Sequence, residues 1–220
     1  RLENINNIFE VTTKPLIMDA DTGGKMEHFN LNIKSMERLG ISAVIIEDKK
    51  GLKKNSLFGN EVEQNQEDID LFSEKISSAK KNIISDDFMI IARIESLILE
   101  KGMDDAIKRS LAYVKSGADG IMIHSRKKTP DEVFEFSKIF RKEYPYIPLV
   151  VVPTSFNKIT ENEFAKNGFN IVIYANHLLR AAYPAMRKVA EKILLDSCSS
   201  GVDKDIISIS EILDLIPGTK

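Results

Sequence analysis

The amino-acid sequence predicts an α/β fold, and within that class a (β/α)8 barrel of the TIM type that lacks its first two strands. Three observations lead to this prediction. Apolar runs alternate with amphipathic helical patterns along the chain. The apolar runs are continuous, which is typical of parallel strands covered on both faces. Each run also ends in a polar residue, as the strands of barrel enzymes do.

Six apolar runs are predicted to be strands, at residues 16–20, 43–46, 88–92, 120–123, 149–152 and 171–175. Strict alternation of strand and helix implies right-handed parallel crossovers, which occur in a barrel and in an open doubly wound sheet. No run is followed by a Gly-x-Gly-x-x-Gly turn, which weakens the dinucleotide-binding version of the open sheet. The polar ends of the runs favour the barrel; they are Asp19, Glu47, Arg93, His124, Thr154 and Asn176.

Helices are predicted between these runs from the signals at their ends. Gly40 and Gly117 are expected directly after helices at residues 27–39 and 104–116, because glycine commonly follows the end of a helix. The segment Thr129-Pro130-Asp131-Glu132 is expected to form a capping box. Further helices are predicted at residues 2–11, 129–143, 160–168 and 177–197, the last kinked or divided by Pro184, with a short helix from Ser208.

The number of strands sets the predicted domain organisation. A barrel needs eight strands, and the predicted helix at residues 2–11 has no strand before it. The runs are therefore assigned as strands 3–8 of the barrel. Residues 1–198 are predicted to be a partial barrel and residues 199–220 a tail with a short helix. A chain without two strands of its barrel is expected to be inactive, or nearly so, by itself.

The composition argues against several classes of partner. The chain has 220 residues, 43% of them hydrophobic, and a net charge of −2 from 31 basic and 33 acidic residues. Without a positive field, binding to nucleic acid or to an anionic membrane is not expected. No apolar run has the length of a membrane span, and a single cysteine, Cys198, permits no intrachain disulfide. A reducing, cytoplasmic location is predicted.

Acidic residues at two neighbouring strand ends predict a metal site. Asp19-Ala20-Asp21 ends one run, and residues two apart in a strand point to the same side. By itself, this pair fits a helix-capping aspartate and a turn aspartate as well as it fits a metal site. Together with Glu47 from the next strand, it forms a set of oxygen ligands, which favours Mg²⁺ or Mn²⁺ over zinc.

Arg93 and His124 are the candidate anion-binding residues. An arginine at the mouth of an apolar strand needs a carboxylate or phosphate partner, and its planar fork suits both. A structural ion pair with Glu95 is the alternative. His124 fits hydrogen bonding to an anionic oxygen, general acid chemistry or a structural role.

A cationic loop follows the second predicted strand. It contains four lysines around a glycine, which are Lys49, Lys50, Gly51, Lys53 and Lys54. A charge run is usually a solvated loop, but its place directly after strand-end carboxylates favours a lid over an anionic substrate. Asn55 would bring a neutral donor and acceptor into the closed site.

The most specific motif of the chain is Glu47-Asp48-Lys49, five further residues, and then Asn55-Ser56. Supporting segments are Asp19-Ala20-Asp21-Thr22-Gly23, Ala92-Arg93-Ile94-Glu95, His124-Ser125, Val152-Pro153-Thr154 and Ala175-Asn176-His177. In this combination and order, the chain resembles the phosphoenolpyruvate mutase family of the isocitrate lyase/phosphoenolpyruvate mutase superfamily. The resemblance runs from residue 2 to the C-terminus.

The resemblance implies a modified (β/α)8 barrel in a homotetramer, with the terminal helix packed on a neighbouring subunit. It implies a Mg²⁺-dependent interconversion of phosphoenolpyruvate and phosphonopyruvate, the step that forms the P–C bond in phosphonate biosynthesis. The implied site has Mg²⁺ ligands that act partly through water (Asp19, Asp21, Glu47), phosphoryl-binding residues (Arg93, His124) and gating-loop residues (Lys53, Asn55). Asn55 is expected to steady the phosphoryl group in transit.

The chain departs from the family pattern in two places. Family members also use a Ser-Gly-Leu segment and an aspartate after earlier strands, which would precede residue 1. After Thr22-Gly23 the chain continues Gly24-Lys25-Met26, where relatives often have an aromatic residue, glycine and asparagine.

Three other functions fit parts of the pattern. Phosphonopyruvate hydrolase shares the fold and metal site, but the mutase-type Asn55 argues against it. Isocitrate or methylisocitrate lyase is disfavoured because no Lys-Lys-Cys-Gly-His-type loop is present and Cys198 lies far away. A non-catalytic truncated barrel or assembly subunit is disfavoured because the candidate site residues are retained.

Overall fold

The computed structural model of the chain describes residues 2–51, 55–215 and 218. It divides the chain into two compact units, Arg1–Ile173 and Tyr174–Lys220. The first unit contains the sheet and the helices that cover it, and the second contains the C-terminal helices. The predicted division into residues 1–198 and 199–220 stays a prediction.

The first unit is built on a sheet of six parallel strands whose spatial order is their order in the sequence. An open doubly wound sheet reverses its order at a switch point, whereas a barrel does not. The six predicted strands of a truncated TIM-type barrel are therefore confirmed. They are β1 (Ile17–Asp19), β2 (Ala43–Glu47), β3 (Met89–Ile94), β4 (Gly120–Ile123), β5 (Leu149–Val151) and β6 (Ile171–Val172).

The helices of this unit cover the sheet. They are α1 (Leu2–Val11), α2 (Met26–Arg38), α3 (Ile69–Lys80), α4 (Gly102–Lys115), α5 (Asp131–Glu143) and α6 (Glu161–Lys166), with a 3₁₀ helix at Ser56–Glu61. Helix α3 was not predicted from the sequence. Its signal was present, because Asp68 caps the helix by accepting hydrogen bonds from the backbone N–H groups of Asp70 and Leu71. Phe72 and Ile76 then follow on the buried face of the helix.

The helix ends test the predicted signals. Gly40 and Gly117 follow the caps of α2 and α4 with φ of 86° and 102°, so both predicted glycine ends are confirmed. The capping box predicted at Thr129 is wrong. Pro130 is the N-cap of α5 and makes no side-chain cap, because a proline side chain has no acceptor. The Thr129 hydroxyl donates instead to the Asp131 carboxylate at 2.8 Å.

Alternation along the strands separates two faces of the sheet. On β3, Ile90, Ala92 and Ile94 are buried in the hydrophobic core under the helices. Arg93 lies between them and therefore faces the opposite side, which we call the inner face. The same alternation places Glu47 at the end of β2 on the inner face, directly opposite Arg93 in the register. The inner face at the carboxyl ends of the strands thus receives the polar residues.

The second unit contains α7 (His177–Asp196), a 3₁₀ helix (Ser200–Val202) and α8 (Ile209–Asp214). Pro184 lies inside α7 and does not divide it. Asn176 is the N-cap of α7, and Ser208 forms a capping box with Glu211 at the start of α8. Large apolar side chains of α7 are exposed, among them Leu178, Leu179, Tyr183, Met186, Leu194 and Leu195. Within the described residues, no helix is both long enough and apolar enough to span a membrane.

Candidate active site

The inner-face residues at the ends of β2, β3 and β4 meet in one buried cluster. Its members are Lys49, Ser56, Arg93, Glu95 and His124, and we call it the inner cluster. Neighbouring strands bring these residues together, because the carboxyl ends of parallel strands share one edge of the sheet. Arg93 and His124, predicted as anion-binding residues, are therefore in contact. The contact residues Glu95 and Ser56 were not among the predicted site residues.

Arg93 is held by two carboxylates. Its Nε donates to Glu95 Oε1 at 2.7 Å, and its Nη2 lies 3.4 Å from Glu47 Oε2. Burial by itself would lower the pKa of Arg93, but the charges of Glu95 and Glu47 raise it above its usual value. Arg93 is thus fully charged and fixed in direction. The ion pair with Glu95, which was the structural alternative to a functional role, is therefore present. It orients the Arg93 guanidinium at the end of β3.

His124 is held as a neutral imidazole. Arg93 Nη2 lies 2.9 Å from His124 Nδ1, and an arginine can only donate. Nδ1 also lies 3.3 Å from Glu95 Oε1, but the shorter contact with Arg93 makes Nδ1 an acceptor and places the ring proton on Nε2. Burial, followed by the charge of Arg93, lowers the pKa of His124. This state favours hydrogen bonding from Nε2–H to an anionic oxygen over general acid chemistry by an imidazolium.

Ser56 and Lys49 complete the inner cluster. The Ser56 hydroxyl donates to Glu95 Oε2 at 2.5 Å and accepts from Arg93 Nη2 at 2.7 Å and Lys49 Nζ at 3.0 Å. One donated and two accepted bonds use the full capacity of a hydroxyl. Lys49 was assigned to the cationic loop that favours a lid, and the structure shows it 4% exposed and buried in this cluster. Its position two residues after Glu47 continues the alternation of β2 and was the available signal.

Glu95 gathers the positive charges of this cluster. It accepts from Arg93 and Ser56, and Lys49 Nζ lies 3.3 Å from its Oε2. Burial alone would raise the pKa of Glu95, but Arg93 and then His124 and Lys49 lower it well below its usual range. Glu95 is therefore ionised at every physiological pH and is the counter-ion of Arg93 and Lys49, which share the site with the neutral His124.

The predicted metal ligands lie beside this cluster. Strand β1 ends at Asp19, and Asp21 has φ of 58°, so the argument that both point to one side of a strand was wrong. They are linked instead by a hydrogen bond from Asp21 N–H to Asp19 Oδ1 at 2.9 Å. The Glu47 N–H donates to the Asp21 carbonyl at 2.8 Å. One bond to the Asp19 side chain and one backbone bond thus connect the three acidic residues at the ends of β1 and β2.

These donors fit Mg²⁺ in a particular way. In the described part of the chain, no group of three or more His, Cys, Asp or Glu side chains is arranged to bind an ion directly. Mg²⁺ usually keeps several waters and takes only one or two carboxylates from the protein. The hard oxygen atoms of Asp19, Asp21 and Glu47 therefore fit an ion held partly through water.

The loop residues are placed unequally. Lys53 lies outside the described residues. Asn55 is exposed, and its carbonyl accepts a hydrogen bond from Phe58 N–H at 3.2 Å at the start of the 3₁₀ helix. Its neighbour Ser56 is anchored in the inner cluster. Thr154, the polar residue after β5, makes no hydrogen bond with the inner cluster among the described residues.

A second buried polar cluster lies on the other face of the same strand ends. It consists of Asp48, Gln66, Arg109 and Tyr113, and we call it the outer cluster. Asp48 Oδ2 accepts from Gln66 Nε2 and the Tyr113 hydroxyl, each at 2.8 Å, and lies 3.3 Å from Arg109 Nη1. Burial raises the pKa of Asp48 to about 6, although Arg109 and the hydrogen bonds lower it. Arg109 and Tyr113 were not predicted from the sequence, although Asp105, Arg109 and Tyr113 follow one another at intervals of four residues.

Comparisons with known proteins agree with this geometry. The family model for phosphoenolpyruvate phosphomutase matches residues 1–194. A phosphonopyruvate hydrolase from Variovorax sp. (strain Pal2) is 39% identical over 216 residues, which cover 97% of this chain and 73% of that protein. A phosphoenolpyruvate phosphomutase from Tetrahymena pyriformis is 33% identical over 215 residues, which cover 97% of this chain and 70% of that protein.

Solved structures show the same relationship. A phosphoenolpyruvate phosphomutase from Streptomyces platensis subsp. rosaceus is 33% identical with a TM-score of 0.89, covering 97% of this chain and 73% of that one. A phosphonopyruvate hydrolase in complex with oxalate and Mg²⁺ is 38% identical with a TM-score of 0.85, covering 97% of this chain and 72% of that one. The chain therefore belongs to the phosphoenolpyruvate mutase/isocitrate lyase superfamily of enzymes.

Proposed function

We propose that the protein is a Mg²⁺-dependent phosphoenolpyruvate phosphomutase, an isomerase that interconverts phosphoenolpyruvate and phosphonopyruvate in phosphonate biosynthesis. One observation carries the proposal, the contact of Arg93 with His124 at 2.9 Å beside the carboxylate of Glu47. A phosphorylated carboxylic acid that binds together with Mg²⁺ needs both anion-binding donors and an acidic oxygen ligand.

Binding of the phosphoryl group is assigned to Arg93 and His124. The Arg93 Nη2 group is used by Ser56 and His124, and Nε by Glu95. These three contacts fix the plane of the guanidinium, and among the described residues none of them uses Nη1, which can donate to a phosphoryl oxygen. The neutral His124 donates from Nε2–H. A metaphosphate-like group has little covalent chemistry and needs donors that are positioned before the reaction.

Asp19, Asp21 and Glu47 would hold Mg²⁺, partly through water. Bound there, the ion would supply charge stabilisation to the carboxylate and enolate oxygens of the pyruvyl group. The solved structure of a phosphonopyruvate hydrolase in complex with oxalate and Mg²⁺ supports this choice of ion, because oxalate is a small dicarboxylate. Glu47 also lies 3.4 Å from Lys49 Nζ, so its negative charge is held in place before the ion binds.

The loop after β2 is assigned to gating. Asn55 directly precedes Ser56, and Ser56 bonds Arg93, so the Asn55 backbone starts one residue from the proposed phosphoryl site. Asn55 steadies the phosphoryl group in transit, and Lys53 adds positive charge to the same loop. Closure of the loop excludes water, which would otherwise hydrolyse the phosphoryl intermediate.

³¹P NMR tests this function. The complete gene product that contains this chain is mixed with phosphonopyruvate and Mg²⁺. Phosphoenolpyruvate as the primary product supports the mutase. Inorganic phosphate as the primary product supports a phosphonopyruvate hydrolase, the second candidate, which the 39% identity to the Variovorax enzyme favours. The absence of both products would contradict both and support a non-catalytic barrel.

A cytoplasmic homotetramer is part of the same proposal. The exposed apolar side chains along α7 support an assembly, since exposed apolar patches of this kind mark protein interfaces. Light scattering tests it, with a mass of four times 24.8 kDa expected for this chain. A mass of 24.8 kDa that does not change with concentration would contradict it.

A further inference from the structure

We infer that Asp48 is a positioning residue, which fixes the two ends of the Asn55-bearing loop and the backbone of Glu95 without touching the substrate. The inference deepens the proposed mutase function and concerns the support of its loop. Asp48 is 0% exposed, so its carboxylate cannot reach a ligand bound at the strand mouth. Its influence on the reaction must pass through the groups that it holds.

The first link joins the two ends of the loop. Lys49 and Gln66 form an antiparallel bridge, and Lys50 N–H donates to the Asn65 carbonyl at 2.7 Å. The Glu67 N–H donates to the Asp48 carbonyl at 2.8 Å. The Asp48 side chain reinforces this pairing by accepting from Gln66 Nε2 at 2.8 Å. The chain that leaves β2 at Lys50 and the chain that returns at Asn65 are thus tied together beside Asp48.

The second link runs to the end of β3. Asp48 Oδ1 accepts from Glu95 N–H at 2.9 Å, and Asp48 N–H donates to the Arg93 carbonyl at 3.0 Å. Glu95 in turn accepts from Arg93 and from Ser56. Asp48 therefore fixes the backbone of Glu95. Glu95 in turn orients Arg93 and holds Ser56, the residue that follows Asn55.

The third link attaches the two ends of the loop and the end of β3 to α4. The Tyr113 hydroxyl donates to Asp48 Oδ2 at 2.8 Å, and Arg109 Nη1 donates to the Glu67 carbonyl at 2.8 Å. Arg109 also bonds the Tyr113 hydroxyl at 2.9 Å. A helix packed on the sheet is a rigid support, so the loop ends and Glu95 share one fixed reference.

The energetics argue that this arrangement is kept for position. Taking a carboxylate and a guanidinium out of water costs several kcal/mol, and apolar residues of the same volume often give a more stable protein. If the space between α4 and the sheet only had to be filled, apolar side chains would do so at a lower cost than the charged pair of Asp48 and Arg109. Both carboxylate oxygens of Asp48 are instead hydrogen-bonded. They do provide directed bonds to three separate chain segments, which apolar side chains cannot do.

Tyr113→Phe is the test variant, because it removes one donor to Asp48 and keeps the ring that packs on Phe72 at a centroid distance of 4.8 Å. Tyr144→Phe is the matched control, the same chemical change at the end of α5. A second test variant, Gln66→Met, removes the bond from the loop side.

Hydrogen exchange of this chain is the first readout. In both test variants, we expect the amides of Lys50, Glu67 and Glu95 to exchange at least about threefold faster, since each is tied to Asp48 or to its loop pairing. The amides of β4 and all amides of Tyr144→Phe are expected to match the unsubstituted chain. Equal exchange in test and control variants, or uniform acceleration over the whole chain, would overturn the inference.

Product partition in the complete gene product is the second readout. We expect Tyr113→Phe to lower kcat about tenfold with little change in KM, and to raise the share of turnovers that end in inorganic phosphate. That share does not depend on how much of the enzyme is folded. Faster loop exchange with an unchanged share would overturn the positioning role. Failure of the unsubstituted enzyme to make phosphoenolpyruvate would refute the mutase function, and the exchange experiment would still decide the inference about Asp48.

Discussion

Glu47 and Asp48 are neighbours in the sequence and lie in opposite environments. Glu47 faces the inner cluster, where Lys49 and Arg93 each lie 3.4 Å from its carboxylate. Asp48 faces α4 in the outer cluster and accepts from Tyr113 and Gln66. A one-residue step along a strand changes the face of the sheet, so one dipeptide serves both the site and its support.

The two clusters also treat their buried carboxylates differently. In the inner cluster, three basic groups hold the pKa of Glu95 well below its usual range. In the outer cluster, burial raises the pKa of Asp48 to about 6, and Arg109 only partly offsets it. The inner cluster therefore keeps the ionised Glu95 as a permanent partner that holds Arg93 in one orientation. The outer cluster instead balances one carboxylate, Asp48, against one guanidinium, Arg109.

Asn55→Ala is expected to give the largest effect, on the inner side of this comparison. It removes the amide that steadies the phosphoryl group and should abolish mutase turnover, a loss of at least about 10³-fold. Mg²⁺ affinity, measured by calorimetry, should stay nearly unchanged because the proposed ligands are Asp19, Asp21 and Glu47. Equal loss of turnover and of Mg²⁺ affinity would show that Asn55 is structural.

Arg93→Lys should lower kcat/KM by about 10³-fold, because a lysine keeps the charge and loses the planar fork that bonds Glu95, Ser56 and His124 together. Steady-state kinetics on phosphonopyruvate measure the loss, and circular dichroism checks that the fold is kept. Arg126→Lys, at a half-buried arginine paired with Glu100, is the matched control. A similar loss in the control would remove the distinction between the inner cluster and other arginines.

Asp48→Asn tests the outer cluster. It removes the more deeply buried of the two carboxylates that pair with Arg109, which should cost about 3 kcal/mol of unfolding free energy in urea denaturation. Asp105→Asn is the control, the same change at a carboxylate that also bonds Arg109 and is 25% exposed. It should cost less than about 1 kcal/mol. Equal costs would mean that burial does not distinguish the two carboxylates.

The sequence predicted the strands well because each one is a continuous apolar run that ends in a polar residue. Arg93 and His124 were found for the same reason, since a charged or polar residue directly after such a run is conspicuous. The motif at Glu47 and Asn55 then supplied their proposed roles. These signals are local, and each can be read from a few consecutive residues.

The parts that were missed depend on contacts between distant segments. Ser56 and Gln66 look like ordinary loop residues, and only the fold brings them to Glu95 and Asp48. Arg109 was hidden because it lies on an otherwise normal amphipathic helix. Helix α3 was not predicted, although Asp68 and the apolar spacing after it indicate a helix.

Glu95→Gln should give the smallest effect, on the pH dependence of stability. A folded-state pKa below the usual value stabilises the fold at pH values above 4.5, the value for an unperturbed glutamate, and this stabilisation is lost as the pH falls toward the folded pKa. Arg93, His124, Lys49 and Ser56 are the groups that face Glu95. Below pH 4.5, the unfolding free energy of the unsubstituted protein should therefore fall more steeply than that of Glu95→Gln, by about 1.4 kcal/mol per pH unit. Urea denaturation in steps between pH 4.5 and the acid limit of the fold measures both slopes, with the exposed Glu74→Gln on α3 as the control. Parallel slopes would show that the inner cluster does not hold Glu95 in its ionised form, and the contrast between the two buried carboxylates would then rest on geometry alone.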